Sequence, residues 1–160
     1  NDIEPPNVKT SMFADDTAVW RVGKNVPLLC KKLQETMDYF EEWCDKWGFK
    51  ISVAKTKVVL FYKGKKKKFV LRYRGESLEQ ETKVKFLGMI FDRRMCWKDH
   101  IDNLVNKCKK RVNLLKVTSG TKWGASKEMN LLLYRSLIRS CLDYGCEIYD
   151  SSYKTNKLNV

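Results

Sequence analysis

The sequence predicts an α+β fold: a strand-rich first part with one long helix packed across it, then a basic, mostly helical second part. Three observations carry this expectation. Short stretches before Arg93 alternate apolar and polar residues or run apolar over strand lengths. One long helical periodicity interrupts them, with Leu29, Leu33, Met37, Phe40, Cys44 and Trp47 at spacings of three and four. From Trp97 onwards the period is helical and the charge strongly positive. The boundary falls near Arg93, giving domains over 1–92 and 93–160.

Each element has its own signal. Val8 to Ala14 puts Val8, Thr10, Met12 and Ala14 on one face, and Thr17 to Val22 puts Ala18, Trp20 and Val22 on another. The two-residue connection Asp15-Asp16 between them predicts a β-hairpin. Such turns favour Asn-Gly or Asp-Gly, because both positions often need positive φ. Two aspartates fit less well and hint at a reason beyond turn formation. The helix that follows "VGKNVP" ends at Gly48. "FKISV" and "KVVLFYK" read as strands, the charged turn "GKKKK" leads into "FVLRYRG" as a further hairpin, and "VKFLGMIFD" reads as one more strand. In the second part, Ile101, Leu104, Val105, Cys108, Val112 and Leu115 form a helical stripe ending near Gly120. Ser126 can cap another helix, with Met129, Leu132, Leu133, Leu137 and Cys141 inward and Gly145 as terminator.

The formal net charge of +13 is unevenly placed. Lys/Arg and Asp/Glu balance up to Tyr62, so the whole excess lies after it. That asymmetry points to a polyanionic partner, most simply nucleic acid. A membrane partner is not expected, because no stretch approaches the ~20 apolar residues of a span and no helix pairs a basic face with a bulky apolar one. No signal-peptide pattern opens the chain, so a nuclear or cytoplasmic location is expected. The opening "NDIEPPNV" has no start methionine, which favours an excerpt of a longer protein. None of the six cysteines forms a C-x-x-C pair. Cys96, His100 and Cys108 are too loosely spaced for zinc and lack a fourth ligand, so reduced thiols packing as small core residues are expected. P-loop, Ser–His–Asp and dinucleotide motifs are absent.

Asp15 and Asp16 remain to be explained. Two carboxylates ~4 Å apart repel by roughly 1 kcal/mol in water and by several times that near a low-dielectric surface. A divalent cation reverses the sign, and Mg²⁺ is commonly held by one or two carboxylates plus substrate phosphates. With two ions such a site can activate an attacking hydroxyl and stabilise a leaving oxygen. Taken alone, however, Asp-Asp at a hairpin tip is ordinarily a solvated turn.

Context changes the balance. "FADD" between apolar strands resembles the aromatic-x-D-D motif of reverse transcriptases. The helix "LLCKKLQETMDYFEEWCDKW", then "GFKISVAKTKVVLF" and "VKFLGMIFD", follow in the order of that family's third, fourth and fifth palm blocks. "NDI" resembles the stretch just before that hairpin. The tail, including "LLLYRSLIRSCLDYGCEIY", is similar to the region after the palm in jockey-like non-long-terminal-repeat retrotransposons. The resemblance implies an antiparallel palm-type sheet with a packed helix, followed by a basic helical thumb-like unit.

It also implies roles. Asp15 becomes the principal metal-binding carboxylate and Asp16 its neighbour, with Mg²⁺ as cofactor, while Phe13 packs beneath the primer end. Lys55 matches a lysine proposed to assist the pyrophosphate leaving group, though a solvated loop lysine explains it about as well. Phe86, Leu87 and Gly88 match the primer grip, or else form an ordinary strand with a glycine bend. Lys107, Lys109, Lys110, Arg111, Lys116, Arg135 and Arg139 lie on thumb-like helices, where phosphate contacts carry little sequence information. A solvated helix face accounts for any one of them. The "GKKKK" run is either a nuclear-localisation patch or a charged loop. Partners implied are an RNA template, a DNA primer, deoxynucleoside triphosphates, and the upstream fingers and palm of the same polyprotein. Since the family places another metal-binding aspartate and a glutamine-glycine block upstream, the 160-residue chain alone is expected to be inactive. Two rival readings are a non-catalytic nucleic-acid-binding remnant of such an element and, ranked lower, an RNA-dependent RNA polymerase.

Overall fold

The structure, a computed structural model, describes residues 8–64, 67–120 and 123–150. The architecture is mixed α+β, in two units: one runs through Leu87 and the other begins at Gly88.

The first unit opens with strands β1 (Lys9–Phe13) and β2 (Asp16–Trp20), antiparallel with Thr10 opposite Val19 and Phe13 opposite Asp16. The turn is therefore Ala14-Asp15, one residue earlier than the alternation suggested, and Asp16 is already a strand residue. Helix α1 (Val26–Trp47) follows its sequence signals closely. The Asn25 side chain accepts from the Leu28 N–H, Pro27 lies in the first turn, and Gly48 closes the helix at φ 71°. Its inward face buries Thr36, Phe40 and Cys44, while Trp47 at the end of the stripe stays exposed. Full burial of a side chain such as Phe40 is worth about 1.5–3 kcal/mol.

Beyond α1 the pairing is less local than expected. "FKISV" is not a strand; residues 52–56 form a turn in which the Thr56 N–H and hydroxyl both donate to the Ser52 carbonyl. Strand β3 (Lys57–Val59) does not turn back on "FVLRYRG". It pairs in parallel with β6 (Glu79–Glu81), Lys57 opposite Glu79, and those two side chains form an ion pair. Lys65 and Lys66 of the "GKKKK" run lie outside the described residues. The hairpin in this region is instead β4 (Arg72–Tyr73) with β5 (Glu76–Ser77), around Arg74 and Gly75 at φ 50° and 78°. Positive φ at both central residues is the signature of a type I′ turn. The strands thus form separate two-stranded ladders, one of them parallel, rather than one antiparallel sheet.

Helix α1 is fastened along β4. The Gln34 amide donates to the Arg72 carbonyl and accepts from the Arg72 N–H, each at 2.9 Å, as a neighbouring strand would. Further along, Glu41 accepts from the Arg74 N–H and Asp45 pairs with the Arg74 guanidinium. Behind these contacts Leu71, Tyr73 and Leu78 form the core, closed by Leu33, Met37 and Val58. Strand β7 (Lys83–Phe86) ends the unit.

The second unit starts with β8 (Met89–Asp92), so "VKFLGMIFD" is two strands broken at Leu87-Gly88, φ 46° and 81°. Helix α2 (Lys98–Thr118) packs on β8 through Met89, Trp97 and Ile101. Helix α3 (Lys127–Tyr134) is capped by Ser126, whose hydroxyl accepts from the Met129 N–H. It continues into a π-turn (Arg135–Arg139), α4 (Ser140–Asp143) and α5 (Cys146–Tyr149), the last two separated by Gly145 at φ 65°. The expected inward stripe is met in part: Leu133, Leu137 and Cys141 are half-buried, whereas Met129 and Leu132 are exposed. The wider π-turn shifts the phase of the helix, and Ile138 within it is buried. Among the described residues no helix is long and apolar enough to cross a membrane.

Candidate functional site

The β1–β2 hairpin presents the carboxylate pair. Asp15 occupies the second turn position and Asp16 the first of β2; both side chains are exposed and neither joins an ion pair among the described residues. Phe13, opposite Asp16 in the ladder, is 66% exposed, leaving an aromatic face uncovered beside the carboxylates. An all-oxygen, uncompensated pair on a tight turn fits a hard cation with open coordination positions. No third His, Cys, Asp or Glu joins it among the described residues. His100 is no part of a metal cluster either. It is buried against Trp97 and Tyr149, and its Nδ1 accepts from the Ile90 N–H at 3.3 Å. Burial, then the positive charge of Lys107, holds its pKa below the ordinary imidazole value.

Ala14, just before the pair, has φ 51°. Among the described residues five non-glycine residues have positive φ, and two, Ala14 and Leu87, sit in the "FADD" and "FLG" motifs. Left-handed backbone costs an L-residue about 1–2 kcal/mol, and such strain persists where surrounding structure holds it. Because the Ala14 side chain is exposed, Ala14→Gly loses no packing. Relief of strain, less the added freedom of the unfolded chain, should raise stability by about 0.5–1 kcal/mol. An upward shift of the thermal midpoint checks this; an unchanged or lowered midpoint contradicts it.

The remaining candidates fall into distinct places. Lys55 is exposed on the 52–56 turn. Phe86 ends β7, and Leu87 and Gly88 form the turn before β8. In the second unit a cleft of about 300 Å³ opens between α2 and the π-turn with α4, lined among others by Gly88, Asn103, Lys107, Arg111, Ser140 and Tyr144. Asn103, Lys107 and Arg111 recur every fourth residue and so share one face of α2. Lys109 and Lys116 lie about 200° and 180° around the helix from Lys107, so the basic residues of α2 do not form one surface. Arg111 is committed to structure: its guanidinium donates to the Leu137 carbonyl and to Cys141 Sγ. Arg139 pairs with Asp143 at 3.3 Å, an exposed contact worth little. Lys107, Lys109, Lys110, Lys116 and Arg135 are exposed.

Residues 1–91 match the family described as reverse transcriptase (RNA-dependent DNA polymerase). The chain belongs to the reverse transcriptase family. It is 25% identical over 161 residues to the RNA-directed DNA polymerase from mobile element jockey of Drosophila melanogaster, covering 99% of this chain and 18% of that protein. Against the jockey polymerase of Drosophila funebris it is 26% identical, over 96% of this chain and 17% of that one. The Pol polyprotein from the type-1 retrotransposable element R1 of Bradysia coprophila is 26% identical over 86% of this chain and 14% of its own. The chain therefore spans less than a fifth of these reverse-transcriptase relatives. No solved structure matches it.

Asn103, Ser136, Ser140 and Tyr144 escaped the reading of the sequence. Only the i, i+4 spacing of Asn103 with Lys107 and of Ser136 with Ser140 could have marked them.

Proposed function

We propose that this chain supplies part of the polymerisation centre of an RNA-directed DNA polymerase from a non-long-terminal-repeat retrotransposon. The parent would add deoxynucleotides to a primer 3′-hydroxyl on an RNA template, inside the cell. The reading rests above all on the Asp15–Asp16 pair, exposed on a hairpin turn in a chain of the reverse transcriptase family.

In this reading residues 1–92 belong to a palm and 93–160 to a thumb-like unit. Asp15 is the principal metal-binding carboxylate and Asp16 its neighbour. Mg²⁺ held there supplies charge for the attacking and leaving oxygens. Phe13 offers its exposed ring to the primer end. Lys55 meets the charge of the departing pyrophosphate, and Phe86, Leu87 and Gly88 press the primer backbone, where glycine allows close approach. Lys107, Lys109, Lys110, Lys116, Arg135 and Arg139 contact phosphates from more than one face of the helical unit, and Arg111 braces the helices that carry them. Upstream fingers and palm segments complete the site.

Primer extension by the longer protein, with Asp15 intact or replaced, is the test; unchanged extension would favour a non-catalytic nucleic-acid-binding role. The 160-residue chain alone is expected to make no product, yet to bind template–primer duplex. That binding should weaken about a hundredfold between 50 and 200 mM salt if roughly four phosphates are contacted. Anisotropy titrations at several salt concentrations check it, and a flat salt dependence contradicts it.

A further inference from the structure

We propose that the cleft between α2 and the π-turn with α4 binds one nucleotide unit, its phosphate on Lys107 and Asn103 and its sugar or base against Tyr144. The proposal goes beyond a basic helix surface, because it names a bounded site and residues with no charge. Three features support it. The cleft holds about 300 Å³, the lower end of the volumes of small-molecule clefts, and among the described residues no carboxylate lines it. Its donors converge from two helices, with the Lys107 ammonium and the Asn103 amide on one α2 face opposite Ser136 and Ser140. Both hydroxyls now donate to carbonyls of their own helix, Ser136 to Leu133 and Ser140 to Ser136, and a rotation can turn either toward an anion.

The site is also held in shape. Arg111 ties the α2 wall to the opposite wall through Leu137 and Cys141. Tyr144 is 57% exposed while lining the cleft, which puts an aromatic side chain within reach of a bound sugar or base. Gly88 adjoins it: a Cβ there would approach the Tyr144 ring to 3.6 Å. A nucleotide in a strand and a free nucleotide offer the same chemistry. Only the strand-bound form rests on the function proposed above.

The test uses the full 160-residue chain with two probes, dAMP followed by amide chemical shifts and a labelled 12-mer oligodeoxynucleotide followed by anisotropy. Saturable dAMP shifts around Lys107 and Tyr144 are expected, with deoxyadenosine, lacking the phosphate, binding at least about tenfold more weakly. Lys107→Gln and Tyr144→Ala should each weaken the 12-mer about tenfold. Lys127→Gln, an equal change of charge on α3 outside the cleft, should change it less than about twofold. The double variant should fall short of the product of the single effects, because both groups hold one nucleotide. Tyr144→Leu, with thermal melts of every variant, separates lost stacking from lost folding. If Lys107→Gln and Lys127→Gln weaken the 12-mer equally and dAMP shifts nothing, the cleft is overturned and the polymerase reading stands. If dAMP binds as expected and the 12-mer does not, the cleft is a free-nucleotide site and the polymerase reading loses its support from binding.

Discussion

Asp15→Asn in the longer retroelement protein is expected to cut primer extension about a thousandfold while leaving template–primer affinity nearly unchanged. Asparagine keeps the size and one oxygen of aspartate but removes the charge that draws a hard cation to the turn. Metal stabilisation of developing charge is worth several kcal/mol, and about 1.4 kcal/mol corresponds to each tenfold in rate. The loss should fall on kcat rather than KM, since the interaction removed is strongest in the transition state. Asp16→Asn should cost less, about ten- to a hundredfold, if Asp16 neighbours the principal ligand rather than replacing it. Asp15→Cys should recover part of the lost rate when Mn²⁺ replaces Mg²⁺, because a thiolate accepts the softer ion more readily. Single-turnover extension at saturating template–primer separates these effects. Equal rates for the unaltered enzyme and its Asp15→Asn variant would remove the carboxylate pair from the chemistry.

How far such a site is legible in a sequence depends on how local its determinants are. The α1 helix was readable because its cap at Asn25, its apolar spacing and its stop at Gly48 all lie within the segment they govern. The β1–β2 hairpin was readable for the same reason, but its turn was misplaced by one residue. Alternation alone does not reveal that Ala14, rather than Asp16, takes the positive φ. The partner of β3 was not readable: Lys57–Val59 could pair with any strand of matching pattern, and the parallel partner lies some twenty residues on. The π-turn left no mark in composition, yet it moved the buried position to Ile138. The contiguous motifs "FADD" and "FLG" were visible as words. The cleft was not, because two helices contribute its walls. Arg111 illustrates the difference: counted among the cations of α2, it is spent on Leu137 and Cys141.

Loss of Asp92 should strongly destabilise the second unit, and nothing in the strand pattern "MIFD" announces it. Helix α2 begins after Trp97, a left-handed N-cap residue with φ 63° that makes no side-chain cap hydrogen bond. The turn that leads into the helix is held instead by Asp92, five residues before Trp97 and buried. Its Oδ1 accepts from the Cys96 and Trp97 N–H groups at 2.9 Å, and its Oδ2 from the Arg94 N–H at 3.0 Å and the Cys96 thiol at 3.2 Å. Burial alone would raise the carboxyl pKa, but these donors, led by Trp97, outweigh it and leave the value below the usual aspartate range. Asp92→Ala strands the buried Trp97 N–H, at about 1–3 kcal/mol, and the part-buried Arg94 and Cys96 donors at less each, so a loss of about 3 kcal/mol is expected. Asp92→Asn keeps one acceptor oxygen and should lose about 2 kcal/mol. The sign with pH follows from the lowered value. The unfolded carboxyl, near 3.9, takes up its proton first as the solution is acidified. The contribution of Asp92 is therefore complete above about pH 4 and fades as pH falls through the folded pKa. His100, also lowered, draws stability down in a separate window beginning at the unfolded imidazole value of about 6.5. Denaturant unfolding of the wild-type chain and Asp92→Asn should thus differ by about 2 kcal/mol at pH 7, with the gap narrowing as the pH falls below about 4. A gap that does not narrow on acidification would mean that the carboxylate charge is not what holds the turn into α2.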